Sequence, residues 1–210
     1  MYQKNIQQLI SKLHNEYPVL EPLYAEYQNF LFLMNDVSLN APIHSHEGQV
    51  YNLLYPYGDH QYQILFDIPQ VADLFHKNPS LFQEIRYDIE NDNVLFQYDS
   101  ILSANRDFEA ILSVPFPDLY DSHFPIKELI IDGNHRISYL IENEVPEIYT
   151  HMLTLHEDTD VFYDLSSYLI YHLLHDTCTY KQYHLDHKEK EWSCFLSDRI
   201  TSLQRAIHRI

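Results

Sequence analysis

An apolar run, Leu129-Ile130-Ile131, stops abruptly on the polar cluster Asp132-Gly133-Asn134-His135-Arg136, and helical periodicity starts at once with Ile137, Leu140 and Ile141. A change of period at one glycine commits the chain to a strand, a tight turn and a helix N-terminus at that place. The glycine carries weight because the chain has only three, Gly48, Gly58 and Gly133, far fewer than the roughly 7% of ordinary proteins. Gly133 is expected to supply a positive φ or a close backbone approach. Asn134 is expected to cap the helix, and the leading amides, with His135 and Arg136, to form an anion pocket. The same scarcity of glycine excludes both the dinucleotide GxGxxG loop and the Walker GxxxxGK[ST] loop.

The 210 residues, 45% hydrophobic and 14% aromatic, suit a folded globular chain of one large domain, or one domain with a helical piece added. Two cysteines, Cys178 and Cys194, make no disulfide framework, and the N-terminus leads straight into a helix pattern, so a reducing cytoplasm is the expected location. No apolar run approaches the roughly 18 residues of a membrane span. A net charge of −18 excludes a broad electrostatic grip on nucleic acid, so any phosphate must be recognised locally.

The charge is uneven. Residues 1–159 carry 24 Asp and Glu against 7 Lys and Arg, and residues 160–210 carry 7 against 6. That step sets the expected division: an α+β core over 1–159 holding the phosphate loop, and a helical extension over 160–210 packed on it. The acid excess serves solubility, or, on a sharper reading, makes the chain an acidic mimic of nucleic acid that occupies a basic groove on a partner protein.

Ile6, Leu9, Ile10 and Leu13 recur at helical spacing, which predicts a first amphipathic helix. A second runs from about 22 to 30 with Leu23, Tyr27, Phe30 and Leu31 inward, and 35–48 reads as loop. Residues 50–57 and 61–68, parted by Gly58-Asp59-His60, predict a β-hairpin. Helix-start signals at Asp67 and at Asn78-Pro79 predict short helices over 67–75 and 79–85. A strand is expected over 94–98, a helical turn or strand over 108–112, and irregular backbone through the prolines of 115–125. Residues 129–132, 135–144 and 148–155 then read as a tight βαβ-like unit. In the C-terminal region Val161, Leu165, Tyr168, Leu169, His172 and Leu173 mark one helix. Trp192, Phe195, Leu196, Ile200, Leu203 and Ile207 mark another, with a polar loop over 177–190 between them.

The order of strand, Asp132-Gly133-Asn134-His135-Arg136, helix, Val145-Pro146 and return strand from Ile148 resembles the ParB/sulfiredoxin superfamily over about 30 residues. The resemblance implies an α+β fold with a mixed-sheet core, to which the N- and C-terminal helices are additions. It implies a phosphate or nucleotide pocket at the turn, with ATP, ADP or CTP as ligand and magnesium as its companion ion. Asp132 would orient the turn or help hold a metal. Gly133 and Asn134 would offer amides, and His135 and Arg136 would contact phosphate oxygens. The reaction class so implied is phosphoryl transfer or nucleotide hydrolysis on a nucleotide or phosphorylated small molecule. A DNA clamp is disfavoured because no basic helix-turn-helix follows. Sulfinic acid reduction is disfavoured because no cysteine adjoins the loop. The alternative reading of the whole chain is a non-enzymatic acidic protein that works through a basic partner, with the pentad as a capped structural turn.

Three further groupings stand out in the chain. His44-Ser45-His46-Glu47 puts two imidazoles and a carboxylate within four residues, but no third metal ligand stands at a recognisable offset. Glu47 becomes the favoured general base, beside His135, if that segment folds over the phosphate loop. Cys178, His184, His187 and Cys194 match no zinc-finger spacing. Eighteen tyrosines and eleven phenylalanines lack the basic neighbours of a base-stacking surface and read as core.

Overall fold

The structure is a computed structural model that describes residues 2–44, 48–87, 94–97, 110–120, 126–145, 147–154 and 161–207. In chain order its elements are α1 (Tyr2–Glu16), a 3-10 turn (Pro18–Leu20), α2 (Glu21–Leu33), α3 (Asp36–Asn40), β1 (Val50–Tyr57), β2 (His60–Asp67) and α4 (Ile68–Lys77). A second 3-10 turn (Pro79–Leu81) leads to β3 (Phe82–Tyr87), β4 (Val94–Leu95), β5 (Leu112–Pro115), β6 (Glu128–Asp132), α5 (Asn134–Glu142), β7 (Ile148–Leu153), α6 (Leu165–Leu185) and α7 (Glu189–Ile207). The fold is α+β. It forms two units: Met1–Ser45, Asn52–Leu65 and Phe162–Ile210 make one, and His46–Tyr51 with Phe66–Val161 make the other. The N-terminal helices thus group with the C-terminal ones, and the later divide falls at 161/162.

In the helical unit, Ile6, Leu9, Ile10 and Leu13 of α1 are fully buried, and α2 buries the expected Leu23, Tyr27, Phe30 and Leu31. Each such side chain contributes about 1.5–3 kcal/mol by leaving water. Residues 35–40 depart from the expected loop: Asn35 accepts hydrogen bonds from the Val37 and Ser38 amides and so caps α3. The largest departure is α6. Its polar stretch, expected as a loop over 177–190, stays helical to Leu185, and the polar groups at the head of that stretch are satisfied inside the unit. The Thr177 hydroxyl donates to the Leu173 carbonyl at 2.8 Å. The Asp176 carboxylate accepts from Tyr27 Oη at 2.6 Å and from Arg199 Nε at 2.8 Å, and Arg199 Nη2 donates back to Tyr27 Oη at 3.2 Å.

Three helices therefore meet at one ion pair whose side chains are only 1% and 2% exposed. Burial disfavours the guanidinium's charge, and the Asp176 carboxylate reverses that, so Arg199 holds its proton far above the usual range. Burial likewise pushes the Tyr24, Tyr27 and Tyr171 phenols up.

In the sheet unit, five strands run in the order β3-β7-β5-β6-β4. β3 pairs antiparallel with β7 and β5 antiparallel with β6, whereas β5 pairs parallel with β7 and β4 with β6. The sheet is mixed. β6 and β7 are separated by β5 and run in opposite directions, so the segment expected as a βαβ-like unit is a strand, a helix and an antiparallel return. Residues 79–85 are also corrected, since the helix-start signal yields only the 3-10 turn before β3 takes six pairings with β7 from Phe82↔Leu153 to Tyr87↔Ile148. Strand pairing overrides the local signal. The α4 expectation holds, with Asp67 accepting from the Gln70 amide at 3.3 Å.

α5 lies over a core of Tyr87, Ile111, Ile130, Ile137 and Ile148. The same unit buries a carboxylate: Glu128 is 3% exposed, and its Oε1 accepts from the hydroxyls of both Ser113 and Thr150. These three residues bind β5, β6 and β7 to one another.

Breaking the helical ion pair should be costly. Asp176→Ala leaves the guanidinium buried and uncompensated, and urea denaturation is expected to show a loss of about 3–5 kcal/mol. A second expectation follows from the tyrosines. Their folded-state pKa values lie above the unfolded value of about 10, so the unfolded chain ionises first and stability is retained below that pH. Denaturation midpoints should fall as pH rises past about 10.

Candidate functional site

The turn between β6 and α5 is built as its sequence requires. β6 ends on Asp132 after three buried apolar residues, Leu129, Ile130 and Ile131. Gly133 is the helix N-cap at φ +90°, ψ +18°, a left-handed conformation that residues with a Cβ rarely adopt. It is also a point of close approach: a Cβ there would lie 3.1 Å from Ile111 Cα and 3.2 Å from Ile111 Cγ1. Both reasons for glycine apply together.

Asn134 differs from its expected place. The cap is Gly133, and Asn134 is the first residue of α5. Its side chain is engaged elsewhere, with Oδ1 accepting from the Gln97 amide at 2.7 Å and Nδ2 donating to the Ile130 carbonyl at 3.4 Å. It ties the turn to the segment just after β4.

The half-buried Asp132 carboxylate accepts from the Gly133 amide at 2.8 Å. The first rung of the helix is the Ile137 amide to the Gly133 carbonyl at 2.9 Å. The amides of Asn134, His135 and Arg136 thus lie ahead of the helical ladder, at the positive end of the helix dipole. His135 is exposed and Arg136 half-buried. Arg136 Nη1 donates to the Ala110 carbonyl, which fixes the guanidinium beside the turn, 3.4 Å from where a Gly133 Cβ would stand.

All five pentad residues therefore gather at one strand-to-helix junction. Glu47, the expected general base, lies outside the described residues, as does His46. Among the described residues no group of three His, Cys, Asp or Glu side chains is placed to hold a metal. Cys178 and Cys194 form no disulfide, and among the described residues no helix is long and apolar enough to cross a membrane.

Reading the sequence missed the roles of Ala110 and Gln97, because both act through backbone groups that leave no trace in side-chain type. It also missed Glu128, which sits one residue before the apolar run and looks like a surface acid. The charge of this unit bears on any ligand: it carries 20 Asp and Glu against 5 Lys and Arg, whereas the helical unit carries 11 against 8. An anion at the turn is held by local donors against that field. Compared with known proteins, the chain matches no family model, no curated protein and no solved structure.

The glycine requirement is directly testable. Gly133→Ala combines left-handed strain with a contact on Ile111, and denaturant unfolding should show a loss of about 1–3 kcal/mol. A substitution with no effect on the midpoint would show that the turn relaxes without the close approach.

Proposed function

We propose that the β6–α5 turn binds the phosphate of a nucleotide or phosphorylated small molecule, and that the chemistry performed there is phosphoryl transfer or nucleotide hydrolysis. One observation carries the reading: a left-handed glycine places three consecutive amides at a helix N-terminus immediately beside an arginine already anchored by a carbonyl. Helix N-termini favour anions through their leading amides and dipole. A guanidinium adds charge-assisted hydrogen bonds to phosphate oxygens. His135, exposed at the second helical position, is the side chain assigned to general acid–base work on a phosphate oxygen or an acceptor.

The acidic field of the unit favours a ligand that arrives with its own cation. Mg²⁺ takes few protein oxygens and keeps substrate phosphates as partners, and the Asp132 carboxylate is the oxygen donor the turn offers. ATP, ADP and CTP are the ligands to try first.

A thermal-shift series with each nucleotide, with and without magnesium, tests this. A ligand at 100 times its dissociation constant adds about 2.7 kcal/mol of apparent stability, so the melting temperature of the wild type should rise. Arg136→Ala should fold and lose that rise, since α5 takes its packing from Ile137. An unchanged ligand response in Arg136→Ala would remove the role assigned to the turn.

The concentration of 20 acids in the sheet unit favours a second reading, a non-enzymatic protein that binds a basic partner. Such binding would weaken steeply with salt and be indifferent to Arg136→Ala.

A further inference from the structure

The helical unit has a groove of its own. It is an open groove of about 390 Å³ between the α1 side chains from Lys4 to Asn15 and the β1–β2 turn residues Asp59 and His60, and the described residues that line it are all polar or charged. That volume lies within the range of small-molecule clefts. Lys4 and Lys12 are the only Lys or Arg residues among the first 76, and both face this groove. In a chain of net charge −18, that placement makes a local cationic spot.

Lys12 is held in position rather than left to wander. Its ammonium lies 5.2 Å from the centre of the Tyr57 ring, within cation–π range. It stands 3.7 Å from the Asp59 carboxylate, too far for a good hydrogen bond. Gly58 makes room for it, with φ +64° and no Cβ, since a Cβ there would overlap the lysine amine. Asp59 also has His60 Nε2 at 3.7 Å. Gln7, Gln8 and Asn15 add neutral amide donors and acceptors.

From this lining we infer that the groove binds a small polar oxyanion: a carboxylate or phosphate group, held by Lys4 and Lys12, on a hydroxyl- or amide-bearing body that the carboxamides contact. The site belongs to the helical unit and is independent of the β6–α5 turn.

The test is a heteronuclear NMR titration at low salt with inorganic phosphate and, separately, citrate, on the wild type, Lys4→Glu and Arg136→Ala. Saturable shifts at the amides of Gln8, Asn15 and His60 are expected with at least one probe, and the probe that binds identifies the oxyanion. Affinity should fall about tenfold in Lys4→Glu and stay unchanged in Arg136→Ala. Lys4 is exposed, so its charge reversal leaves the fold intact. No saturable shift with either probe, equal affinity in Lys4→Glu, or loss in Arg136→Ala alone would overturn the inference.

Discussion

The approach of Gly133 to the backbone of Ile111 sets the spacing between the end of β6 and the start of β5. The candidate chemistry of the sheet unit follows from that spacing. With the backbones so close, Arg136 reaches the Ala110 carbonyl from the first turn of α5, and Asn134 reaches the Gln97 amide. The pentad therefore does two jobs with different atoms. Its side chains reach backbone groups of Gln97, just after β4, and Ala110, just before β5, while its backbone amides lead the helix. A turn held so firmly presents its donors without reorganisation, which is the condition under which fixed dipoles hold an anion well.

The two units satisfy buried charge in contrasting ways. In the helical unit Asp176 and Arg199 neutralise each other, and Tyr27 closes the triangle by donating to the acid and accepting from the base. In the sheet unit Glu128 has two neutral hydroxyl donors, Ser113 and Thr150. The first arrangement binds three helices by charge. The second pins the register of three strands, because one shift of pairing would turn a hydroxyl away from the carboxylate.

What the sequence reveals tracks how local the cause is. α1, α2 and the hairpin are legible because Ile6, Leu9, Ile10, Leu13 and the 50–57 and 61–68 runs carry their periodicity in neighbouring residues. The β6–α5 turn is legible because a lone glycine marks it. β3 is not, since Pro79 writes a helix start and only pairing with the distant β7 cancels it. The middle of α6 is not, since Thr177 reads as the start of a polar loop until Tyr24, from another helix, stands beside it. At the site, residue identity located the pentad but misassigned the cap: Gly133 takes that place through its φ, and the Asn134 side chain is drawn to a backbone amide nearly forty residues earlier in the chain.

The central claim is that the amides opening α5 receive a phosphate group. Backbone amide chemical shifts of Asn134, His135 and Arg136, followed while ADP and magnesium are titrated into the labelled protein, read those donors individually. The account predicts a saturable shift largest at these three amides and at Gly133. Shifts confined to other segments, or none at saturating nucleotide, would contradict it.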